Sequence, residues 1–469
     1  MKDIDKKIAE LHYDEKAILA YTGERLSSFK AVEGTNEGNG KYIVVKRERK
    51  SIHNEGADIA VIESLKDIVH PGALLLANAR LIENNPTSLV VARKPMTFKV
   101  DLPGMGSEAL FTVDNPTSNN VAAKLDEVLT CWNEKYAQKY EIAARMHYNS
   151  ATVFNESQLC TQLGLEIKGI AKKLNIDFSS TSKNKHSVAI ATFRQIFYTV
   201  STSFPLHPSD LFADEVSWED LSQNVDNKNP PLLVNSVAYG RTIYVKIETS
   251  SSNTNVKAAL DAALSGNSAK ISAEHKALLE NAQFTVFVLG GGTSKHIGLI
   301  SVTNIDDVKR VITENATYSN QNPGYPIGYS CVFLKNNQIA LINSTAEYIE
   351  TTYSEYSSGQ IKLKHTGGYV AQFRVTWDEI TGYTDQGHPI TVARGWGDNQ
   401  KDRTAPFNTV IPLNGNCTNI SIFAKECTGL PWEWWRTVVD YHNVPLVPER
   451  TVHISGTTLQ PSSSVTPGI

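Results

Sequence analysis

The sequence predicts an α+β, β-rich chain of several domains, and three observations carry that reading. Its 469 residues exceed one ordinary core and predict roughly two to four domains. Helical periodicity is confined to a few separate segments, whereas strand signals dominate beyond residue 146. Apolar residues make up 41% and charged residues 20%, so the chain is neither disordered, collagen-like nor a disulfide scaffold. A net charge of −4 argues against a nucleic-acid binder held by bulk positive charge. No apolar run reaches the roughly eighteen residues of a membrane-spanning helix, which leaves a membrane β-barrel open.

Residues 1–20 read as a helix, because Ile4, Ile8, Leu11, Ile18 and Leu19 recur near helical spacing. Residues 21–57 are polar and strand-like around Tyr42-Ile43-Val44-Val45, after a glycine-rich turn at Glu37-Gly38-Asn39-Gly40. Residues 58–146 mix helix and strand, with a one-faced helix from Val121 to Leu129. The β-rich stretches that follow run from Val188 to Val200, Arg241 to Ile247, Phe284 to Leu289 and Tyr369 to Trp377. The tail from Leu459 to Ile469, with its serines and prolines, reads as a frayed end. The first seven residues lack the apolar core of a secretory signal, so a signal removed beforehand or another export route is expected. Five cysteines without a CxxC pair argue against zinc ribbons and thioredoxin-like chemistry.

Two segments satisfy two periods at once. In residues 158–168, Leu159, Thr161, Leu163, Leu165 and Ile167 alternate with Gln158, Cys160, Gln162, Gly164, Glu166 and Lys168. A transmembrane β-strand needs about 9–11 residues of this kind. Yet Leu163, Ile167, Ile170, Ala171 and Leu174 also share a helical face. Val256, Ala258, Leu260, Ala262 and Leu264 alternate likewise, in a stretch whose alanines favour a helix in water. Either segment alone fits an ordinary amphipathic core helix. Two of them, each followed by a β-rich stretch, fit helices able to refold into β-hairpins.

The densest anomaly is Glu426-Cys427-Thr428-Gly429-Leu430-Pro431-Trp432-Glu433-Trp434-Trp435-Arg436, with three of the chain's seven tryptophans in four positions. By composition alone the cluster also fits buried tryptophans in a β-sandwich core, but Gly429 and Pro431 favour a surface loop over a continuous strand. Tryptophan on such a tip suits the headgroup level of a bilayer, its body apolar and its N–H wet.

This segment resembles the undecapeptide signature of the cholesterol-dependent cytolysins, the thiol-activated bacterial pore-forming toxins. It departs from the usual form at Pro431, where a small or apolar residue is expected. Other stretches similar to the family run in family order: Trp132 to Gln138, Ser236 to Tyr244, Glu347 to Thr352, Tyr369 to Phe373 and Gly456 to Leu459. The resemblance implies an elongated four-domain toxin with a central twisted antiparallel sheet flanked by helical clusters. Its parts would be a discontinuous body (1–20, 58–146, 197–242, 318–341), a β connector (21–57, 342–357), a pore-forming domain (147–196, 243–317) and a membrane- and cholesterol-binding β-sandwich (358–469).

By the same resemblance, Thr458 and Leu459 are the sterol-recognising pair. Gly368 and Ala405 mark neighbouring membrane loop tips, and the undecapeptide anchors to the bilayer, with Arg436 coupling membrane contact to assembly. A glycine pair, Gly290-Gly291, would let an edge strand peel away so that copies of the chain pair edge to edge. Clusters 158–185 and 256–279 would unfurl into transmembrane hairpins. The expected partners are membrane cholesterol, the host lipid bilayer and further copies of the chain in a large ring, with no cofactor, no metal and no nucleic acid. Secretion followed by insertion in a host membrane is the expected location. Cys427 matches the family's single cysteine, and four more depart from it. No HExxH or GxSxG occurs, so no enzyme activity is expected. The rival reading is a sterol- or glycan-binding adhesin of the same fold with reduced or no pore formation.

Overall fold

The computed structural model describes residues 3–61, 65–178, 186–249, 256–264, 271–290 and 297–468. The chain divides into two compact units, Met1–Leu26 with Arg49–Ile349, and Ser27–Glu48 with Glu350–Ile469.

The first unit is built on an antiparallel sheet in which β1 (Arg145–Thr152), β2 (Ser187–Thr202), β3 (Pro231–Thr249), β4 (Gln283–Leu289) and β5 (Ile297–Ile300) lie side by side in sequence order. The long β3 changes partner along one edge. Gly240 still faces Tyr325 of the strand Tyr325–Phe333, whereas Thr242 faces Leu289 of β4. A Cβ on Gly240 would fall 1.9 Å from the Gln195 carbonyl oxygen, so only glycine lets β2 approach at the crossover.

The six helices that matter here are α1 (Asp3–Ala9), α2 (Ser118–Lys135), α3 (Glu156–Leu163), α4 (Ile167–Lys173), α5 (Val256–Leu264) and α6 (Ala273–Glu280). Strand alternation decides what each covers. Ala189, Ala191 and Phe193 of β2, with Ile243, Val245 and Ile247 of β3, pack against Val256, Leu260 and Leu279 of α5 and α6. Val188, Ile190, Tyr244 and Phe287 face the other way, onto Leu159, Ile167 and Ile170 of α3 and α4. Each face of the sheet is thus closed by one helical cluster. In α2, capped by the Thr117 hydroxyl, Val121, Leu125, Val128 and Trp132 form the buried stripe. Trp132 Nε1 donates to the Pro103 carbonyl at 3.0 Å, which satisfies the one polar atom the burial would orphan.

The second unit contains a β-sandwich. Its strands are β6 (Gly359–His365), β7 (Ala371–Tyr383), β8 (Pro389–Gly395), β9 (Phe407–Leu413), β10 (Cys417–Leu430), β11 (Glu433–Val444), β12 (Arg450–Thr457) and β13 (Gln460–Thr466). One sheet runs β9-β6-β12-β13 and the other β8-β7-β10-β11. Ile361, Leu363, Phe373, Val375, Ile422, Ala424, Val452 and Ile454 meet between them.

Three expectations are corrected. The helix predicted over residues 1–20 ends at Ala9, and Ala20–Thr22 pairs in parallel with residues 343–345. Asp14 diverts the chain, because its Oδ1 accepts from Lys16 N and its carbonyl accepts from Ala17 N and Ile18 N. The tail is not frayed: β13 pairs with β12 from Thr451–Thr466 to Thr457–Gln460. Buried Arg450 fastens it, donating to the Pro467 carbonyl at 2.7 Å and the Pro445 carbonyl at 3.2 Å. Finally, the undecapeptide is mostly strand, and only Pro431 and Trp432 lie outside β10 and β11.

Candidate functional site

Register brings four turns to one end of the sandwich. β6 runs parallel to β12 with His365 beside Ile454, and His365 also faces Phe407 of β9. In the other sheet Ala371 faces both Glu426 and Arg403. The turns at 366–370, 404–406, 431–432 and 458–459 therefore share that end. Gly368 N donates to the Gly456 carbonyl at 2.9 Å and Cys427 N to the Val370 carbonyl at 2.7 Å, so the 366–370 turn links the two sheets. Gly368 and Ala405 are both exposed. Arg403, stacked 4.9 Å over the Phe407 ring, braces the 404–406 turn.

The hairpin between β10 and β11 carries a bulge between Cys427 and Leu430, where Gly429 takes φ +73°. Pro431 occupies the turn, where a fixed φ and a missing N–H cost no ladder bond. Leu430 N donates to Thr428 Oγ1 at 3.0 Å, and that hydroxyl in turn donates to the Glu433 carbonyl. The tip is consequently rigid while its side chains face outward: Trp432 is 80% exposed, Trp434 58% and, on the adjacent turn, Leu459 76%. Trp435 is half-buried under the Lys425 ammonium, 4.7 Å from its ring centre. An apolar group of this size kept in water marks a contact surface.

Arg436 joins the turns. Its Nη2 donates to Glu433 Oε2 at 2.7 Å, and its Nη1 donates both to Glu426 Oε1 at 3.2 Å and to the Thr458 carbonyl at 3.1 Å. Glu426 is wholly buried, and its Oε2 has no hydrogen-bond partner among the described residues. Burial pushes the Glu426 carboxyl above its ordinary range, against the pull of Arg436. Glu433 is held below its ordinary range, chiefly by hydrogen bonding from Arg436. Cys427 is half-buried beside this junction, and all five cysteines are free thiols.

Gly290 ends β4 with φ +82°, where a Cβ would lie 2.9 Å from the Gly240 carbonyl oxygen and 3.1 Å from Tyr325 Cβ. It sits where β3 exchanges one partner strand for the other. Its neighbour Gly291 lies outside the described residues.

A family model described as thiol-activated cytolysin matches residues 3–356, and one described as thiol-activated cytolysin beta sandwich domain matches residues 360–462. The chain belongs to the thiol-activated cytolysins. It is 48% identical to tetanolysin of Clostridium tetani over 464 residues, covering 99% of this chain and 88% of that one. It is 44% identical to perfringolysin O of Clostridium perfringens over 466 residues, covering 99% and 93%. Among solved structures, listeriolysin O superposes with a TM-score of 0.90 at 39% identity, covering 100% of this chain and 98% of that one. Suilysin from Streptococcus suis superposes with a TM-score of 0.88 at 38% identity, covering 99% of each.

In this cytolysin the two dual-period segments are helices where described: α3 with α4, and α5 with α6. Residues 179–185 and 265–270 of the two clusters lie outside the described residues. The helical form buries polar groups that a settled core helix would leave out. Gln158, Thr161 and Glu166 are all buried, and Thr161 Oγ1 finds no partner among the described residues. Polar side chains hold the cluster in place: Asn155 Nδ2 donates to the Glu347 carbonyl at 3.0 Å and Asn54 Nδ2 to the Thr161 carbonyl at 3.1 Å. On the opposite face, one α5 carboxylate gathers three partners. Asp261 accepts from the Tyr148 and Ser150 hydroxyls of β1, the latter at 2.7 Å, and pairs with Lys257 at 2.7 Å. Sequence reasoning missed this clamp, because Tyr148 and Ser150 lie more than a hundred residues from Asp261 and no periodicity links them to it.

Proposed function

We propose that the chain is a secreted pore-forming toxin that binds membrane cholesterol, closes into a ring of identical subunits and inserts a transmembrane β-barrel that lyses host cells. The observation that carries this reading is topological. Residues 153–186 connect β1 to β2, and residues 250–282 connect β3 to β4, and each pair is already antiparallel and adjacent. Straightening either helical insert only lengthens an existing hairpin, and each insert holds enough chain for two strands of about ten residues. Sheet order then places both hairpins side by side.

Thr458 and Leu459 offer a hydroxyl beside an aliphatic side chain, which suits a sterol's 3-hydroxyl and its rings. The exposed tryptophans sink to headgroup depth, with Gly368 and Ala405 on the flanking tips. Gly290, with Gly291, is the point from which β5 peels away to free the edge of β4, and copies of the chain pair through that edge. Closing the ring satisfies every strand's backbone hydrogen bonds, which a lone hairpin in hydrocarbon cannot do. Insertion is therefore cooperative and follows assembly. Thiol reactivity is not required: an oxidised Cys427 would add bulk and polarity beneath the tip, which reduction removes. The four-part division into body, connector, pore-forming domain and sandwich, with the sandwich from residue 358, belongs to the same proposal.

The test is dye release from vesicles with and without cholesterol, imaged in parallel by electron microscopy. Release confined to cholesterol vesicles bearing rings or arcs supports the reading. Cholesterol-dependent binding without release would favour an adhesin.

A further inference from the structure

Glu426 belongs to the undecapeptide, yet its side chain is wholly buried and the proposed membrane contact does not explain its position. It faces inward, opposite the apolar Ala371, at the level where the two sheets meet the turns. Its register partner on the hairpin is Arg436. The same Nη1 that reaches Glu426 Oε1 also reaches the Thr458 carbonyl, so the carboxylate and the sterol turn share one donor atom. Glu433 holds the opposite edge of the guanidinium through Nε and Nη2, from an exposed position on the tip.

We propose that Glu426 is a positioning residue: its negative charge draws Arg436 inward so that the guanidinium spans the undecapeptide and the Thr458–Leu459 turn, and proton uptake by Glu426 releases that turn. With Glu426 neutral, Arg436 pairs with Glu433 alone, and Nη1 is free to leave the Thr458 carbonyl. The groups facing Glu426 are Arg436 and Glu433 on β11 and Tyr369 in the 366–370 turn. His365 on β6 directs its Nε2 to the Tyr369 carbonyl at 2.8 Å and not to the carboxylate. Oε2, buried and without a partner among the described residues, is the atom that takes the proton, since Oε1 is already covered by Nη1. A buried acid strained above its ordinary range takes a proton at milder acidity than a surface carboxylate does.

The lysis arm of the test rests on the proposed membrane-lytic function; the exchange arm does not. Amide hydrogen exchange of residues 456–462 in the soluble full chain, corrected for intrinsic rates, is compared at about pH 7.5 and about pH 5. In the wild type, exchange should quicken by about tenfold at the lower pH, the factor that corresponds to losing one charge-assisted hydrogen bond. Glu426→Gln, which keeps the shape and removes the charge, should show the fast rate at both pH values with an unchanged near-ultraviolet spectrum. Glu426→Asp should restore the pH dependence. Equal protection of wild type at both pH values, or wild-type protection in Glu426→Gln, would overturn the inference. In the lysis arm, the wild type should require more vesicle cholesterol at about pH 5 than at about pH 7.5, and Glu426→Gln should require the larger amount at both. An unchanged cholesterol requirement counts against the inference, whereas a wild type that releases no dye counts against the lytic function alone.

Discussion

Arg436 on β11 and Thr458 in the turn between β12 and β13 lie twenty-two positions apart and meet through a 3.1 Å hydrogen bond from Nη1 to the Thr458 carbonyl. The undecapeptide and the Thr458–Leu459 turn are therefore one mechanical unit before any membrane is present. Separate sequence motifs become a single surface because the two-sheet register delivers both to the same end.

Replacing Arg436 by lysine keeps the charge but loses the fork that serves Glu426, Glu433 and Thr458 together. Lysis should fall by at least about tenfold, the factor for one lost charge-assisted hydrogen bond. Circular dichroism should show an intact sandwich, and red-cell lysis at fixed toxin concentration is the readout.

Trp432 and Leu459 contribute almost nothing to the folded monomer, since most of each side chain faces water. Trp432→Ala and Leu459→Ala should leave the melting temperature within about 2 °C of wild type, as surface changes do. Each should weaken flotation with cholesterol vesicles by about tenfold or more, given about 1.5–3 kcal/mol for burying such a side chain. A matching loss of melting temperature would mean the residues support the fold.

Gly290→Ala adds a Cβ 2.9 Å from the Gly240 carbonyl oxygen at φ +82°. Strain of roughly 1–3 kcal/mol should lower the melting temperature of the first unit. If β5 peels away from this point as proposed, ring formation should fall further than monomer stability does. Analytical ultracentrifugation of detergent-extracted complexes separates the two effects.

Asp261→Ala removes the acceptor shared by Tyr148, Ser150 and Lys257. Loosening α5 by about 1–3 kcal/mol should make the soluble monomer bind a hydrophobic dye and inactivate faster on standing. Conversely, a disulfide joining Ser150→Cys to Asp261→Cys should block dye release while leaving vesicle binding intact. Restoration of release by reductant completes the test.

His70, half-buried beside Arg93, has its pKa lowered to about 4, with desolvation the main cause. The unfolded chain binds this proton more readily, so stability rises with pH between about 4 and about 6.5 and is lost on acidification through that window. The loss should approach about 3 kcal/mol. Melting curves of wild type and His70→Gln across that range measure it. A variant as acid-sensitive as wild type would contradict the assignment.

Much of this was legible in the chain. Alternation marks β3, a short apolar run rich in β-formers marks β4, and the four-residue spacing of Val121, Leu125 and Leu129 marks α2. The sequence predicts a loop for the undecapeptide hairpin, because Gly429 and Pro431 are usually breakers. Here the glycine absorbs a bulge and the proline takes the turn, so the strands run almost to the tip. That bulge shifts register by one and sets Glu426 opposite Arg436. A propensity reading that treated the segment as loop had no register from which to find the pair. The tail escaped for a related reason: its serines are poor strand formers alone, and they pair only because β12 and Arg450 hold them.

The central claim is that α3 and α4 exchange a water-stable helical shape for a lipid-facing strand. Single environment-sensitive labels at each position from 158 to 168, read before and after lysis of cholesterol vesicles, test it most directly. The account predicts that positions 159, 161, 163, 165 and 167 move to a nonpolar environment while 158, 160, 162, 164, 166 and 168 remain in water. A period of three to four residues that survives lysis, or aqueous signals at every site, would contradict it.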